Sequence, residues 1–143
     1  MLTRPDQWSP IILEVCQTLE KAEIRYHADA SSSLYVHGFA FNMDDFDVTV
    51  EWGKIDQALA LFEHCNPSPI SGTNPRQFTF RLYGCLVDIM SYESKTGIGP
   101  DDERTQVMFA GYRVWSKVPA FYLSRMRKDH PIRAQAHQFF TDE

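Results

Sequence analysis

From residue 45 to residue 52 the chain reads Asp-Phe-Asp-Val-Thr-Val-Glu-Trp, an unbroken alternation of polar and apolar side chains. Successive side chains of a β-strand point to opposite faces, so the run predicts a strand over 46–52. Phe46, Val48, Val50 and Trp52 then take one face. Asp45, Asp47, Thr49 and Glu51 take the other. Two carboxylates two residues apart on one face can hold the same hard cation, or two cations close together, and Mg²⁺ prefers such oxygen ligands.

The remaining pattern surrounds this strand with helices. Ser9-Pro10 reads as an N-cap followed by proline at the first helical position. Ile12, Val15, Cys16 and Leu19 recur with helical spacing, so a first helix is expected to run to about Ala22. Residues 24–27 read as a short strand and 30–37 as a short helix stopped by Gly38. A helix is expected over 54–64, followed by a loop over 66–76 rich in proline. Residues 77–82 and 85–91 read as two strands joined at Tyr83-Gly84. A two-residue turn there pairs Leu82 with Cys85 and Arg81 with Leu86, and so sets Thr79 opposite Asp88. A polar loop over 94–105 precedes a strand or strand pair over 106–115. A helix is expected over 118–129, with Phe121, Tyr122 and Met126 as its apolar stripe, and Pro131 opens a last helix. The expected fold is α+β: a mixed sheet covered by helices mainly on one face, with helices at the C-terminus, in a single domain of residues 1–143.

Composition narrows the function classes. Fourteen basic against nineteen acidic residues give a net charge of −5, which argues against a general nucleic-acid coat protein. It leaves nucleotide binding open, because a metal ion supplies the positive charge that phosphate needs. Cys16, Cys65 and Cys85 are odd in number and lack zinc spacing, which argues against a disulfide framework. Cys16 and Cys85 lie in apolar contexts and are expected as buried thiols. No apolar run approaches a membrane span and the N-terminal MLTRPDQWSP is too polar for a signal peptide, so a cytoplasmic location is expected.

Two further segments carry chemistry. Asp88 stands inside the apolar run Cys85-Leu86-Val87-Asp88-Ile89-Met90, where a lone carboxylate is costly unless paired or metal-bound. If that strand neighbours the Asp45–Asp47 strand, three carboxylates converge. Upstream, a strand leads into the small-residue turn Asp29-Ala30-Ser31-Ser32-Ser33 at a helix start, where backbone N–H groups favour phosphate.

These residues resemble the nucleotidyltransferase superfamily, the family of the DNA polymerase β-like fold. That family carries a small-residue pair, usually glycine followed by glycine or serine, then a short spacer and Asp-x-Asp flanked by apolar residues. Here Ala30-Ser31 is followed by residues 32–44 and then Asp45-Phe46-Asp47-Val48. The family's third carboxylate, on a later strand, corresponds to Asp88 in Leu-Val-Asp-Ile. The small bacterial minimal and antibiotic types are the nearest in pattern, and they often end with a Lys-Asp motif, which Lys128-Asp129 matches. The resemblance covers roughly residues 10–135. The sequence departs from the family at Ala30, which stands where glycine is usual.

The resemblance implies transfer of a nucleoside monophosphate from an NTP, with ATP the first expectation, to an acceptor that is a small molecule, a protein or an RNA end. Asp45, Asp47 and Asp88 would be the catalytic and Mg²⁺-binding residues. Ala30, Ser31 and Ser32 would receive the phosphates, and Arg81 and Lys128 are the candidate cations for the nucleotide. A chain this short leaves little surface to enclose an acceptor, so a homodimer or a partner protein is expected. The alternative is a catalytically degenerate module of the same fold that binds a partner, antitoxin-like, which Ala30 favours. A sugar-nucleotide glycosyltransferase using Asp-x-Asp ranks below both, since its donor site needs a longer chain. Gly-x-Ser-x-Gly, Gly-x-Gly-x-x-Gly and the Walker lysine loop are absent.

Overall fold

The computed structural model describes residues 5–98 and 103–141, and the side chains of Pro5 and Asp6 are not among those described. The order of elements is α1 (Pro5–Lys21), β1 (Tyr26–Ala28), α2 (Ala30–Val36), β2 (Asp45–Val50), α3 (Ile55–Leu61), a 3₁₀ turn (Glu63–Cys65), β3 (Arg76–Leu82), β4 (Cys85–Ser91), β5 (Arg104–Phe109), β6 (Tyr112–Lys117), α4 (Pro119–Arg125) and α5 (Arg133–Thr141). The fold is α+β, as expected.

All six strands form one mixed sheet in the order β3-β4-β2-β1-β6-β5. β2 runs parallel to β4 and antiparallel to β1, and β1 runs parallel to β6. One sheet face is apolar. Phe46, Val48, Val50, Phe78, Phe80, Val87 and Ile89 are buried there in one cluster with Ile11, Ile12, Val15 and Leu19 of α1 and Ile55 and Ala58 of α3. Each of the larger side chains among them contributes about 1.5–3 kcal/mol by leaving water. Phe62 stacks on Phe80 at 4.6 Å between ring centroids and closes the core beneath the edge strand β3.

The β3–β4 register is the one that the turn implies: Leu82 opposite Cys85, Arg81 opposite Leu86 and Thr79 opposite Asp88. Tyr83 and Gly84 both have positive φ, 52° and 81°, the mirror-image turn that matches strand twist. Ala110-Gly111 repeats the device, with φ of 51° and 87°, and resolves the last sheet segment into the pair β5–β6.

Several boundaries differ from expectation. α1 starts at Pro5 and carries Pro10 inside it rather than at its first turn. A second proline at the true start supplies the preset φ, so Ser9-Pro10 does not cap the helix. α4 ends at Arg125, where Met126 turns to extended backbone, φ −66° and ψ 133°, and Lys128-Asp129 lie in the following turn. α5 begins at Arg133, two residues after Pro131. Of the three thiols, Cys16 is buried while Cys85, at the β3–β4 hairpin end, is only half-buried. Residues 99–102 of the expected polar loop lie outside the described residues. Among the described residues no helix is long and apolar enough to cross a membrane.

Candidate metal and nucleotide site

The polar face of the sheet gathers the carboxylates. In the parallel β2–β4 pair Asp47 stands beside Asp88, and Asp45 stands beside Leu86. Asp45, Asp47 and Asp88 each offer an oxygen, and the three oxygens lie within 4.8 Å of one another. Three half-buried carboxylates this close repel. Burial, and then the charges of Asp45 and Asp88, push Asp47 up to about 8. Burial and Asp45 also raise Asp88.

The donor set fits a hard divalent cation on two independent grounds. Its ligands are all carboxylate oxygens, the chemistry that Mg²⁺ and Mn²⁺ take. Moreover Asp88 Oδ1 is buried with no hydrogen-bond partner. Such an atom costs about 1–3 kcal/mol unless something charged or donating completes it. These two observations mark Asp45, Asp47 and Asp88 as residues that can hold the metal.

The turn before α2 is tied to this face. Asp29 is the N-cap of α2, its Oδ1 accepting from Ala30 N at 2.8 Å and its Oδ2 from Thr49 Oγ1 at 2.7 Å. Ser32 Oγ accepts from Asp47 N at 2.9 Å and lies 3.4 Å from Asp45 O, so the buried serine hydroxyl links the start of α2 to the backbone of the Asp-x-Asp strand. Ser31 is half-buried beside it. Ala30 has φ 49°, the left-handed conformation that glycine adopts without strain.

Further groups border the carboxylates. Burial, followed by Asp29, Asp47 and Asp88, raises the Tyr92 phenol, and burial followed by Asp47 raises that of Tyr122 on α4. β6 runs beside β1 with Ala28 next to Ser116, so Lys117 follows Ser116 as Asp29 follows Ala28. Lys117 is buried, with Nζ 4.4 Å from the centroid of Phe121 on α4. α4 therefore brings Tyr122 close to Asp47 and sets Phe121 against Lys117.

The two candidate cations fall elsewhere. Arg81 is exposed near the end of β3 and donates from Nη1 to Gly84 O at 3.1 Å. β4 and β2 separate its strand from β1 and the start of α2. Lys128 is exposed in the turn after α4. Asp29, Thr49, Tyr92, Tyr122 and Lys117 were given no role by sequence reasoning. Only Asp29 carried a local signal, an N-cap residue directly before the small-residue turn.

No family model matches the sequence, and no curated protein matches it. Solved structures do. The chain is similar to a Thermotoga maritima protein described as a nucleotidyltransferase, at 15% identity and TM-score 0.69, over 99% of this chain and 96% of that one. It is similar to the antibiotic-resistance factor ANT(2'')-Ia, at 12% identity and TM-score 0.70, over 94% and 83%. It is also similar to the lincosamide antibiotic adenylyltransferase LnuA in its lincomycin-bound form, at 10% identity and TM-score 0.67, over 87% and 90%. At these identities the likeness is one of fold: the chain has the nucleotidyltransferase fold.

Proposed function

We propose that this chain is a Mg²⁺-dependent nucleotidyltransferase that moves a nucleoside monophosphate from an NTP, ATP first, to an acceptor hydroxyl. The observation that carries the reading is the convergence of Asp45, Asp47 and Asp88 within 4.8 Å, with one buried oxygen of Asp88 lacking a partner. The fold likeness to ANT(2'')-Ia and LnuA supports the class of reaction.

In this reading Asp45 and Asp47 hold the metal, with Asp88 as a third ligand or as the general base. The bound cation would neutralise the triphosphate and polarise the α-phosphate. The turn at Ala30, Ser31 and Ser32 receives the phosphates, steadied by the Asp29 cap and its bond to Thr49. Arg81 and Lys128 take no part in holding the nucleotide in this reading: Arg81 is exposed near the end of β3, two strands from β1 and the turn that follows it, and Lys128 is exposed in the turn after α4. The acceptor oxygen bonds to the α-phosphorus, the bond to the bridging oxygen breaks, and pyrophosphate leaves. The hydroxyl proton passes to an Asp88 carboxylate oxygen. Positioning and electrostatics supply most of the rate.

A second reading, a degenerate module of the same fold that binds a partner, is favoured by Ala30, whose Cβ occupies a left-handed position where phosphate would approach the backbone. A thermal-shift titration with each NTP, with and without Mg²⁺, separates the two. A ligand that binds only the folded state raises its melting temperature. The enzyme reading expects Mg²⁺-dependent stabilisation that disappears in Asp45→Ala/Asp47→Ala. Absence of any shift at millimolar nucleotide would favour the partner-binding module.

A further inference from the structure

We infer that the acceptor enters from the β3 edge and is held in the cleft formed by Asn66, Ser68, Thr79, Arg81 and Leu86, as a small hydroxyl compound bearing a phosphate or carboxylate. The inference rests on the nucleotidyltransferase reading and names the substrate class of that same site.

Strand order supplies the direction. The small-residue turn follows β1, Asp45 and Asp47 lie on β2, Asp88 lies on β4, and β3 is the sheet edge. The phosphates bound at the turn therefore meet Asp45 and Asp47 first, and Asp88 stands on their far side. In-line displacement needs the incoming oxygen opposite the leaving group. An acceptor whose proton goes to Asp88 comes from beyond β4, which is the β3 side.

A cleft of about 540 Å³ opens there. Its lining includes Thr79, the register partner of Asp88, and Leu86, the register partner of Asp45. It is thus continuous in the sheet with the carboxylates, and its volume suits a small molecule. The segment after the 3₁₀ turn forms its outer wall. Ser68 N donates to Thr79 O at 2.8 Å, Thr79 N donates to Ser68 Oγ at 2.9 Å and Thr79 Oγ1 donates to Ser68 Oγ at 3.5 Å, so the two hydroxyl side chains lie together on the rim.

The charge of the lining selects the ligand. Arg81 is its one charged residue. Its described hydrogen bond uses a single guanidinium N–H, to Gly84 O, and the fork has five. A guanidinium with free donors recognises phosphate or carboxylate in a paired geometry. Arg81 precedes Leu82 on β3 and shares its face with Thr79, so an anion held at Arg81 leaves the acceptor's hydroxyl end pointing along the face towards Asp88. The larger groove between Phe39, Phe41, Ile132 and Phe139 carries no charged residue in its lining and is the competing location.

Amide correlation spectra of the protein with Mg²⁺ and a non-hydrolysable ATP analogue test this, titrated with glycerol 3-phosphate, glycerate and glycerol. The expected result is movement of the Ser68, Thr79 and Leu86 amides with one or both anions, at an affinity roughly tenfold above that for glycerol. Glycerol 3-phosphate against glycerate tells phosphate from carboxylate. Arg81→Glu should abolish the response and Arg81→Lys should keep part of it, while the Mg²⁺-ATP thermal shift stays as in the parent protein. Equal response to glycerol, a response untouched by Arg81→Glu, movement confined to the Phe39–Phe139 groove, or no movement up to about 20 mM would each overturn the acceptor assignment with the nucleotide reading intact. Loss of the Mg²⁺-ATP shift in the parent protein itself would instead overturn the nucleotide reading and this inference with it.

Discussion

Asp47 and Asp88 stand side by side at one register position of two parallel strands, β2 and β4, and both carboxyl groups are driven towards their protonated forms. The pair is poorly suited to a metal-free protein and well suited to a metal-bound one. An Asp held at about 8 when folded and near 3.8 when unfolded keeps its proton longer in the native state. Below about pH 4 both states are protonated and nothing is lost. As pH rises from there towards 8, the unfolded chain ionises first and the native state loses ground. Asp47→Asn removes that penalty. The metal-free variant should be more stable than the parent at pH 7, by about 2–4 kcal/mol, with the gap closing as pH falls to 4. Urea melts at both pH values in EDTA measure it, and an equal gap at pH 4 and 7 would count against the electrostatic cause.

Metal binding should work in the opposite sense. A cation at the three carboxylates displaces the Asp47 proton, so affinity rises with pH until Asp47 is ionised on its own near 8. Mg²⁺ or Mn²⁺ at a hundred times its Kd should stabilise the protein by about 2.7 kcal/mol. The effect should be reversed by EDTA, larger at pH 7.5 than at pH 5.5, and lost in Asp88→Asn. Calorimetric titration in two buffers of different ionisation enthalpy would detect the released proton, and its absence would place the metal elsewhere.

The parts of this site legible in the sequence are those set by local geometry. The alternation of 45–52 put Asp45 and Asp47 on one face, the apolar run around Asp88 made it conspicuous, and the Tyr83-Gly84 turn set Thr79 opposite it. The parallel β2–β4 pairing came only as a supposition, because parallel neighbours leave no mark in either strand. Tyr92 and Tyr122 border the carboxylates from two separate segments, a placement that no spacing records. Lys128 illustrates the converse. Its helical pattern runs on past Arg125, but the backbone of Met126 is extended, so the lysine sits in a turn rather than on a helix face.

Asp29 holds the turn that would carry the phosphates. Its two oxygens accept from Ala30 N and Thr49 Oγ1, joining the start of α2 to the C-terminal end of β2. Asp29→Ala removes both bonds and an N-cap, which costs about 1–2 kcal/mol. Thr49→Val removes only the second and should cost less. Both should weaken Mg²⁺-ATP binding by more than their effect on melting temperature alone, because the turn loses its fixed position. Thermal melts combined with nucleotide titration separate the two effects, and unchanged nucleotide affinity in Asp29→Ala would show that the turn is held by other means.

Ala30 offers the sharpest choice between enzyme and binding module. At φ 49° its Cβ is strained by about 1–2 kcal/mol relative to a right-handed residue. Ala30→Gly relieves that strain but adds freedom to the unfolded chain, a loss of roughly 0.5–1 kcal/mol. The net stability change should therefore be a gain of about 1 kcal/mol or less, with a melting temperature raised by about 2–4 °C. The functional effect is independent of that sum. Removing the Cβ opens the backbone to closer phosphate approach, so an enzyme weakened only by this methyl group should bind Mg²⁺-ATP more tightly in Ala30→Gly and release pyrophosphate faster. A module that has abandoned nucleotides should gain the stability and nothing else. Melting temperature and nucleotide affinity measured on the same preparation distinguish these outcomes. Stability that rises while affinity stays at zero would retire the enzyme reading.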